Sequence, residues 1–172
     1  MPLTPFHLGP ALFFGLLLLR CLDLPTFLIA NVIIDIEPLL VVSCNLDYRV
    51  HGFFHSFIGS TLIALLLVAV MSKVPESFSP LLTFFKIETN PSFLSIFSAS
   101  LSGVYLHILL DSRMHRDIQP FYPFDANPFL NRSSVSGLDV YLFCVWCLIG
   151  AAIIYGIKNN MYNFYWILEV VC

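Results

Sequence analysis

Seven residues with acid–base or metal-binding side chains lie within or beside apolar segments of the chain. They are His7, Asp35, Glu37, His51, His55, His107 and Asp111. Ionisable side chains are costly in such segments, so they usually pair with each other, line a cavity or bind a ligand. A mixed set of imidazoles and carboxylates suits zinc, and also manganese or iron, better than calcium or magnesium. The residue types therefore predict a divalent-metal site, with zinc as the first candidate.

The spacing of these residues says which of them can act together. His107 and Asp111, in GVYLHILLD, are four residues apart and share one face of a helix, so they can bind a metal jointly. Alternatively, Asp111 orients His107, or it simply reaches water at a helix end. His51 and His55 have the same spacing, but they share a face only if the helix already runs through Gly52. Otherwise His51 is a histidine of a surface loop.

Two acidic residues, Asp35 and Glu37, occur in the apolar segment NVIIDIEPLL. Residues two apart point about 200° away from each other on a regular helix, so they cannot face one point. Pro38 disfavours helix at the residue before it, and a break near Glu37 would allow both carboxylates to turn inward. The alternative is that one acid faces the end of a short span.

The composition identifies the class of protein. Of the 172 residues, 58% are hydrophobic and 11% are charged, whereas about 25% are charged in a soluble domain. We therefore predict an all-α integral membrane protein in the cell membrane. The chain has no cluster of Lys and Arg, so nucleic acid is not an expected partner. The N-terminus lacks the charges and cleavage pattern of a signal peptide, which predicts a retained helix.

Apolar windows predict a single transmembrane domain with about five spans and a short C-terminal helix at the interface. The spans are 6–22, 25–44, 54–72, 92–110 and 139–157, and the interfacial helix is 162–172. The connectors 73–91 and 111–138 are predicted loops. Cys144 and Cys147 form a C-x-x-C pattern inside an apolar run, where small buried side chains are expected rather than a redox pair.

The order of the spans predicts where the polar residues meet. We call the membrane side of the first span's N-terminal end side A. Alternating spans then bring the start of spans one and three, and the end of spans two and four, to side A. All seven ionisable residues lie toward those ends. We therefore predict one polar site on side A, with the Pro- and aromatic-rich loop 111–138 covering it.

Short blocks of the sequence resemble the YdjM-like family of membrane-bound, metal-dependent hydrolases. The blocks are PFHLGPAL, ANVIIDIEP, GFFHSFIG, GVYLHILLD and PFYPF. The resemblance implies a hydrolase with His7, Asp35, His55, His107 and Asp111 at the family's motif positions. The chain departs from the pattern at Glu37, where the family has aspartate, and at His51, where it has arginine.

Three functions fit these observations. The first is a hydrolase that uses metal-activated water on an ester, phosphoester or lipid-like substrate at side A. Its metal ligands would come from His7, Asp35, His55, His107 and Asp111, with Asp35, Glu37 and His51 as candidate acid–base groups. The second is a transporter or metal-handling protein that uses the same cluster, although the spans show no inverted repeat. The third is a membrane protein without a site, for which the one-sided polar residues would be a coincidence.

Overall fold

The fold is all-α, as the composition predicts. The computed structural model describes residues 6–74, 76–89, 91–131 and 137–171, with side chains up to residue 160, and no strand occurs in these ranges. The helices are α1 (Leu8–Leu17), α2 (Leu24–Ile33), α3 (Ile36–Ser43), α4 (Phe57–Met71), α5 (Ser79–Phe84), α6 (Phe93–Met114) and α7 (Leu138–Val171). A single 3-10 turn, Phe53–His55, precedes α4.

Polar side chains fix the start of three of these helices. The Asp23 carboxylate accepts a hydrogen bond from the backbone N–H of Thr26 at the start of α2. The Ser56 hydroxyl accepts one from the N–H of Gly59 at the start of α4, and Ser92 forms a capping box with Ser95 before α6. Such caps satisfy backbone donors that the first turn leaves unpaired. The cap at Ser56 directly follows His55, so it fixes the position of His55 relative to the start of α4.

The number of full-length spans differs from the prediction. Within the described ranges, three helical segments are long and apolar enough to cross a membrane: Leu24–Ser43, Phe93–Met114 and Leu138–Asn160. The helices α1 and α4 are apolar but only 10 and 15 residues long. At 1.5 Å per residue they reach about 15 and 22 Å, less than the hydrocarbon core of about 30 Å. The described ranges therefore contain three helices of full spanning length, fewer than the five spans predicted.

Several predicted boundaries also change. The first span was predicted to reach residue 22, but α1 ends at Leu17 and the chain turns before α2. The predicted loop 73–91 contains the short helix α5, which has Pro80 in its first turn. The predicted loop 111–138 begins later, because α6 continues to Met114. The backbone of 162–171 continues α7, so no separate helix begins there.

The outer surfaces of the helices are apolar. Large exposed hydrophobic side chains include Leu39 and Leu40 of α3, Leu65 and Leu66 of α4, and Trp146 of α7. A soluble protein rarely exposes so many neighbouring apolar side chains, whereas a lipid environment solvates them. The surface of the bundle is therefore matched to a bilayer.

The interior is built on the long helix α6, against which α2 and α4 both pack, while α1 packs against α7 and α2. The largest core cluster joins the end of α2 and the adjoining Ile34 with α4 and α6. Its buried members are Ala30, Ile34, Ala64, Leu67, Val68, Met71, Ile96 and Val104. Cys144 and Cys147 of α7 are buried free thiols, in agreement with their interpretation as small hydrophobic side chains.

An apolar cavity lies at the end of the bundle away from the histidines. Its volume is about 570 Å³, and its lining residues come from α1, α2, α5, α7 and the segment around Phe78. None of the seven predicted site residues contributes to this lining. The cavity is therefore separate from the polar end of the bundle.

The close packing of α2 on α6 depends on Gly103. A Cβ atom at this position would lie 2.5 Å from the Ala30 Cβ and 3.0 Å from the carbonyl oxygen of Phe27. We expect Gly103→Ala to lower the free energy of unfolding by about 1–3 kcal/mol, because the two helices must separate. Thermal unfolding in detergent measures the effect. Gly156→Ala is the matched control, since a Cβ there meets no atom within 4 Å; equal stability of the two variants would contradict this packing.

Candidate metal centre

Four of the predicted residues converge at one end of the bundle. One ligand atom from each of Asp35, His55, His107 and Asp111 lies within 4.8 Å of the corresponding atoms of the others. His55 and His107 are fully buried, and Asp111 is 2% exposed. The Asp35 side chain is 22% exposed, so it lies at the open edge of the group. The ends of α2 and α6 and the start of α4 bring these residues together.

The hydrogen bonds of His107 define which of its nitrogens is available. Nδ1 lies 2.7 Å from the backbone carbonyl oxygen of Asn31. A carbonyl only accepts hydrogen bonds, so Nδ1 carries the proton and donates it. In a neutral imidazole the other nitrogen, Nε2, then has a free lone pair. This Nε2 is buried and has no hydrogen-bond partner.

The same arrangement occurs at His55. Its Nδ1 lies 2.9 Å from Oε2 of Glu37, and a carboxylate also accepts hydrogen bonds. The Nε2 atom of His55 is buried without a hydrogen-bond partner. Histidines that bind metals commonly donate their second N–H to a carboxylate or a backbone carbonyl in this way. His55 and His107 therefore both present an unpaired, buried nitrogen of the kind that binds a metal.

The distances around Nε2 of His107 test whether a cation fits. This atom lies 3.3 Å from Oδ2 of Asp111 and 3.5 Å from Oδ1 of Asp35. A lone pair facing two carboxylates is repulsive unless a cation lies between them. Ligand atoms that share a tetrahedral zinc ion at 2.0–2.2 Å are about 3.3–3.6 Å apart, and charged hydrogen bonds are about 2.7–2.9 Å long. The donor set and its spacing fit a divalent cation.

His7 lies beside this group and contacts two of its members. Its Nδ1 is 3.1 Å from Nδ1 of His107, and its Nε2 is 3.1 Å from Oδ1 of Asp111. Because His107 Nδ1 carries a proton, Nδ1 of His7 can only accept, which leaves the proton of a neutral His7 on Nε2, facing Asp111. This geometry suits an imidazole that orients Asp111. The prediction of His7 as a direct ligand stays untested.

Glu37 has both carboxylate oxygens engaged. Oε2 accepts from His55 and from the backbone N–H of Gly52, 3.1 Å away, and Oε1 is 3.3 Å from the N–H of Phe54. A Cβ at residue 52 would lie 2.5 Å from Oε1, so the close approach requires glycine. The helical break that turns Glu37 inward lies at Ile34–Asp35, two residues before the predicted position. His51 and His55 are joined by the turn after Gly52, not by a regular helix.

A second group of residues surrounds His51. Its Nδ1 lies 2.8 Å from Oδ2 of Asp117, and its ring centroid is 4.4 Å from that of His115. Ligand atoms of His51, His115 and Asp117 lie within 4.8 Å of one another. His115 and Asp117 are not among the residues predicted from the sequence. The sequence did contain an indication of His115, because this residue is four positions after Asp111 and is the fifth histidine of a chain that has five.

All five histidines form one continuous row of neighbouring rings. The centroid distances are 4.6 Å for His7–His107, 5.6 Å for His107–His55, 4.9 Å for His55–His51 and 4.4 Å for His51–His115. The two groups of candidate ligands are therefore adjacent, and His51 and His55 connect them.

The surroundings shift the pKa values of two groups that follow α6, His115 and Asp117. Burial lowers the pKa of His115, and the neighbouring His51 lowers it further. Partial burial alone would raise the pKa of Asp117, but the hydrogen bond with His51 holds it below its ordinary value. At neutral pH His115 is therefore neutral and Asp117 ionised, which are the forms that bind metals.

The loop that follows α6 is fixed to the helix ends that carry the site. The Asn127 side chain donates hydrogen bonds to the carbonyls of Ser112 and His115, at 2.8 and 3.1 Å. The backbone N–H of Phe57 donates to the carbonyl of Pro120, 2.9 Å away. Residues 132–136 of the predicted covering loop lie outside the described part of the chain.

Comparison with known protein families gives a match over residues 2–172 to the YdjM inner membrane protein family. The chain belongs to this family. No curated protein and no solved structure matches it. The family and the three long apolar helices identify a multi-pass inner membrane protein. The resemblance seen in the short sequence blocks is thereby confirmed, and the hydrolytic reaction is a separate question.

In this YdjM family member, Glu37 offers a direct test of the metal geometry. We expect Glu37→Gln to weaken zinc binding by about 10–100-fold, because a neutral amide orients the His55 imidazole less well. Zinc titration against a competing chelator measures the affinity. Glu76→Gln changes an exposed acid of the same type and should have no effect. Unchanged affinity in Glu37→Gln would show that the bond to His55 does not support a metal ligand.

Proposed function

We propose that the protein is a membrane-embedded, metal-dependent hydrolase that acts at one membrane face on an amphiphilic ester or phosphoester. The observation that supports this most is the buried Nε2 of His107, which has no hydrogen-bond partner and lies 3.3 and 3.5 Å from the carboxylates of Asp111 and Asp35. These two distances are suited to donor atoms that share one cation. Zinc is the first candidate for this cation, with manganese and iron as alternatives.

The proposed ligands are Asp35, His55, His107 and Asp111. A cation bound there would supply Lewis acidity and would lower the pKa of a water molecule in the site toward neutrality. Glu37 holds His55 in position by its hydrogen bond, and His7 positions Asp111 through the 3.1 Å contact between Nε2 and Oδ1. Asp35 is the most exposed of the four, so water and substrate reach the site on its side. Its carboxylate is the candidate proton acceptor at that opening.

The surroundings of the site support an amphiphilic substrate. Phe121 and Phe129 pack against Phe57 at the start of α4, and Tyr122 packs against Phe53. Phe124, in the same loop, is 72% exposed. Aromatic side chains are typical of the boundary between water and lipid, where they can contact a substrate's apolar part. We therefore propose that this loop covers the site.

Packing on the other side of the site favours hydrolysis over transport. A core cluster of hydrophobic side chains from α2, α4 and α6 lies in the interior beyond the histidines, and the buried Ser100 hydroxyl beside it is bonded to the carbonyl of Ala64. An ion in transit would need polar groups on both sides of its binding site.

We further propose that α1 and α4 lie in the membrane beside the three long helices, so five helices surround the site.

The central prediction concerns Asp35 and His107. We expect Asp35→Asn and His107→Ala each to lose the zinc ion that these four ligands bind and at least about 100-fold of hydrolytic activity, because each removes a ligand. Elemental analysis of the detergent-purified protein gives the metal content. Activity is measured with bis(p-nitrophenyl) phosphate and p-nitrophenyl octanoate in mixed micelles, before and after chelator treatment.

The matched control for this experiment is Asp47→Asn, an exposed carboxylate in the connector after α3. It should retain both metal and activity. Full metal content in a His55→Ala, His107→Ala double variant would exclude the proposed ligands. Retention of metal without hydrolysis of either ester type would count against the hydrolase.

The aromatic loop gives a separate prediction. We expect Phe124→Ser to raise KM for micellar p-nitrophenyl octanoate several-fold and to leave activity on the water-soluble p-nitrophenyl acetate unchanged. The reason is that an exposed aromatic ring contributes contact with the amphiphile and none with the metal. Phe84→Ser is the control, since Phe84 is 78% exposed but lies in α5, away from the site. Equal effects of both variants would contradict a role for the loop.

A further inference from the structure

The residues around His51 have the composition of a metal site of their own. Two imidazoles and one carboxylate, from His51, His115 and Asp117, are a common ligand set for a zinc ion that keeps one position open. None of these residues is needed for the four ligands assigned above. They come from two separate segments, the turn before α4 and the loop after α6.

The side chains of this group are held in place but incompletely satisfied. His51 is 6% exposed, and the backbone N–H of His115 donates to the carbonyl of Asp111 at 2.8 Å. The Nε2 atom of His115 is buried without a hydrogen-bond partner. A buried imidazole nitrogen usually has a partner in a native protein, so this atom is available to bind a ligand.

The charges of the two adjacent groups also favour bound cations. Four carboxylates, those of Asp35, Glu37, Asp111 and Asp117, lie along the row of five histidines. Their ion pairs within the described ranges are all with histidines. Two of these carboxylates, those of Glu37 and Asp111, are nearly buried, and neutral imidazoles would leave their charge uncompensated. Divalent cations bound along the row would compensate it.

We propose that His51, His115 and Asp117 bind a second divalent cation, next to the one held by Asp35, His55, His107 and Asp111. The Asp117 side chain is 45% exposed, whereas the His55, His107 and Asp111 side chains are no more than 3% exposed. The second site therefore opens to water and exchanges its cation faster than the first. This proposal concerns metal binding alone and does not depend on which bond the protein hydrolyses.

The test is a count of bound metal. The detergent-solubilised full chain is stripped with a chelator, dialysed against zinc and analysed for zinc per polypeptide. We expect about two zinc ions per chain in the parent protein and about one in His115→Ala and in Asp117→Asn. A brief treatment with dilute chelator should remove the same single ion from the parent.

Further variants and a spectroscopic measurement separate loss of a ligand from loss of structure. Asp117→Asn keeps the size of an exposed side chain, so it should fold even if His115→Ala does not. Arg116→Ala and Asp47→Asn change exposed neighbours outside the group and should bind as much zinc as the parent. Tetrahedral cobalt absorption, measured after cobalt replaces zinc, should lose one component in Asp117→Asn.

The outcomes distinguish this proposal from the first site. One zinc ion in the parent that Asp117→Asn retains and His107→Ala loses would overturn the second site and leave the first intact. No bound zinc in any form would overturn both. Two ions in the parent, with one lost in each of Asp117→Asn and His115→Ala, would establish the second site.

Discussion

Asp111 is a carboxylate at 2% exposure, placed between the imidazoles of His7 and His107 near the end of an apolar helix. A buried charge of this kind costs several kcal/mol unless it is paired, and a membrane makes the cost larger than a soluble core does. Neutral imidazoles orient such a carboxylate but leave its charge uncompensated. The polar end of the bundle is therefore stable only if cations or protons are held there, and this requirement explains why the ionisable residues lie together.

The helical breaks follow from the same requirement. A regular helix would direct Asp35 and Glu37 to opposite sides, and the break at Ile34–Asp35 allows both to face the histidines. Glu37 then accepts two backbone N–H groups that the turn after Gly52 leaves free. Unpaired backbone groups are tolerated at membrane depth only where polar partners satisfy them. The irregular backbone and the buried acid thus satisfy each other, and His55 gains a fixed orientation from both.

The sequence predicted the meeting of Asp35, His55, His107 and Asp111 because the argument needed only the alternating direction of the helices. It did not predict the span count, since hydropathy does not show that α1 ends at Leu17 or that α4 begins only at Phe57. The hydrogen bond between Glu37 and His55 could not be predicted either, because it depends on how the chain folds around Gly52. His115 and Asp117 were missed for a different reason. They follow the end of α6 in a charged segment that resembles an ordinary surface loop, and only its return toward His51 gives them a role.

The backbone fixes how the two histidine groups are placed relative to each other. His115 is tied to Asp111 by the last hydrogen bond of α6, and Asn127 binds the carbonyls at the same helix end. The bond from Phe57 to Pro120 holds the loop to the start of α4, two residues after His55. A movement of the loop would therefore shift Asp117 relative to His51, while His115 would stay at the end of α6. Asp117 is thus the residue of its group whose position depends on the loop, whereas His107 and Asp111 of the other group both lie within α6.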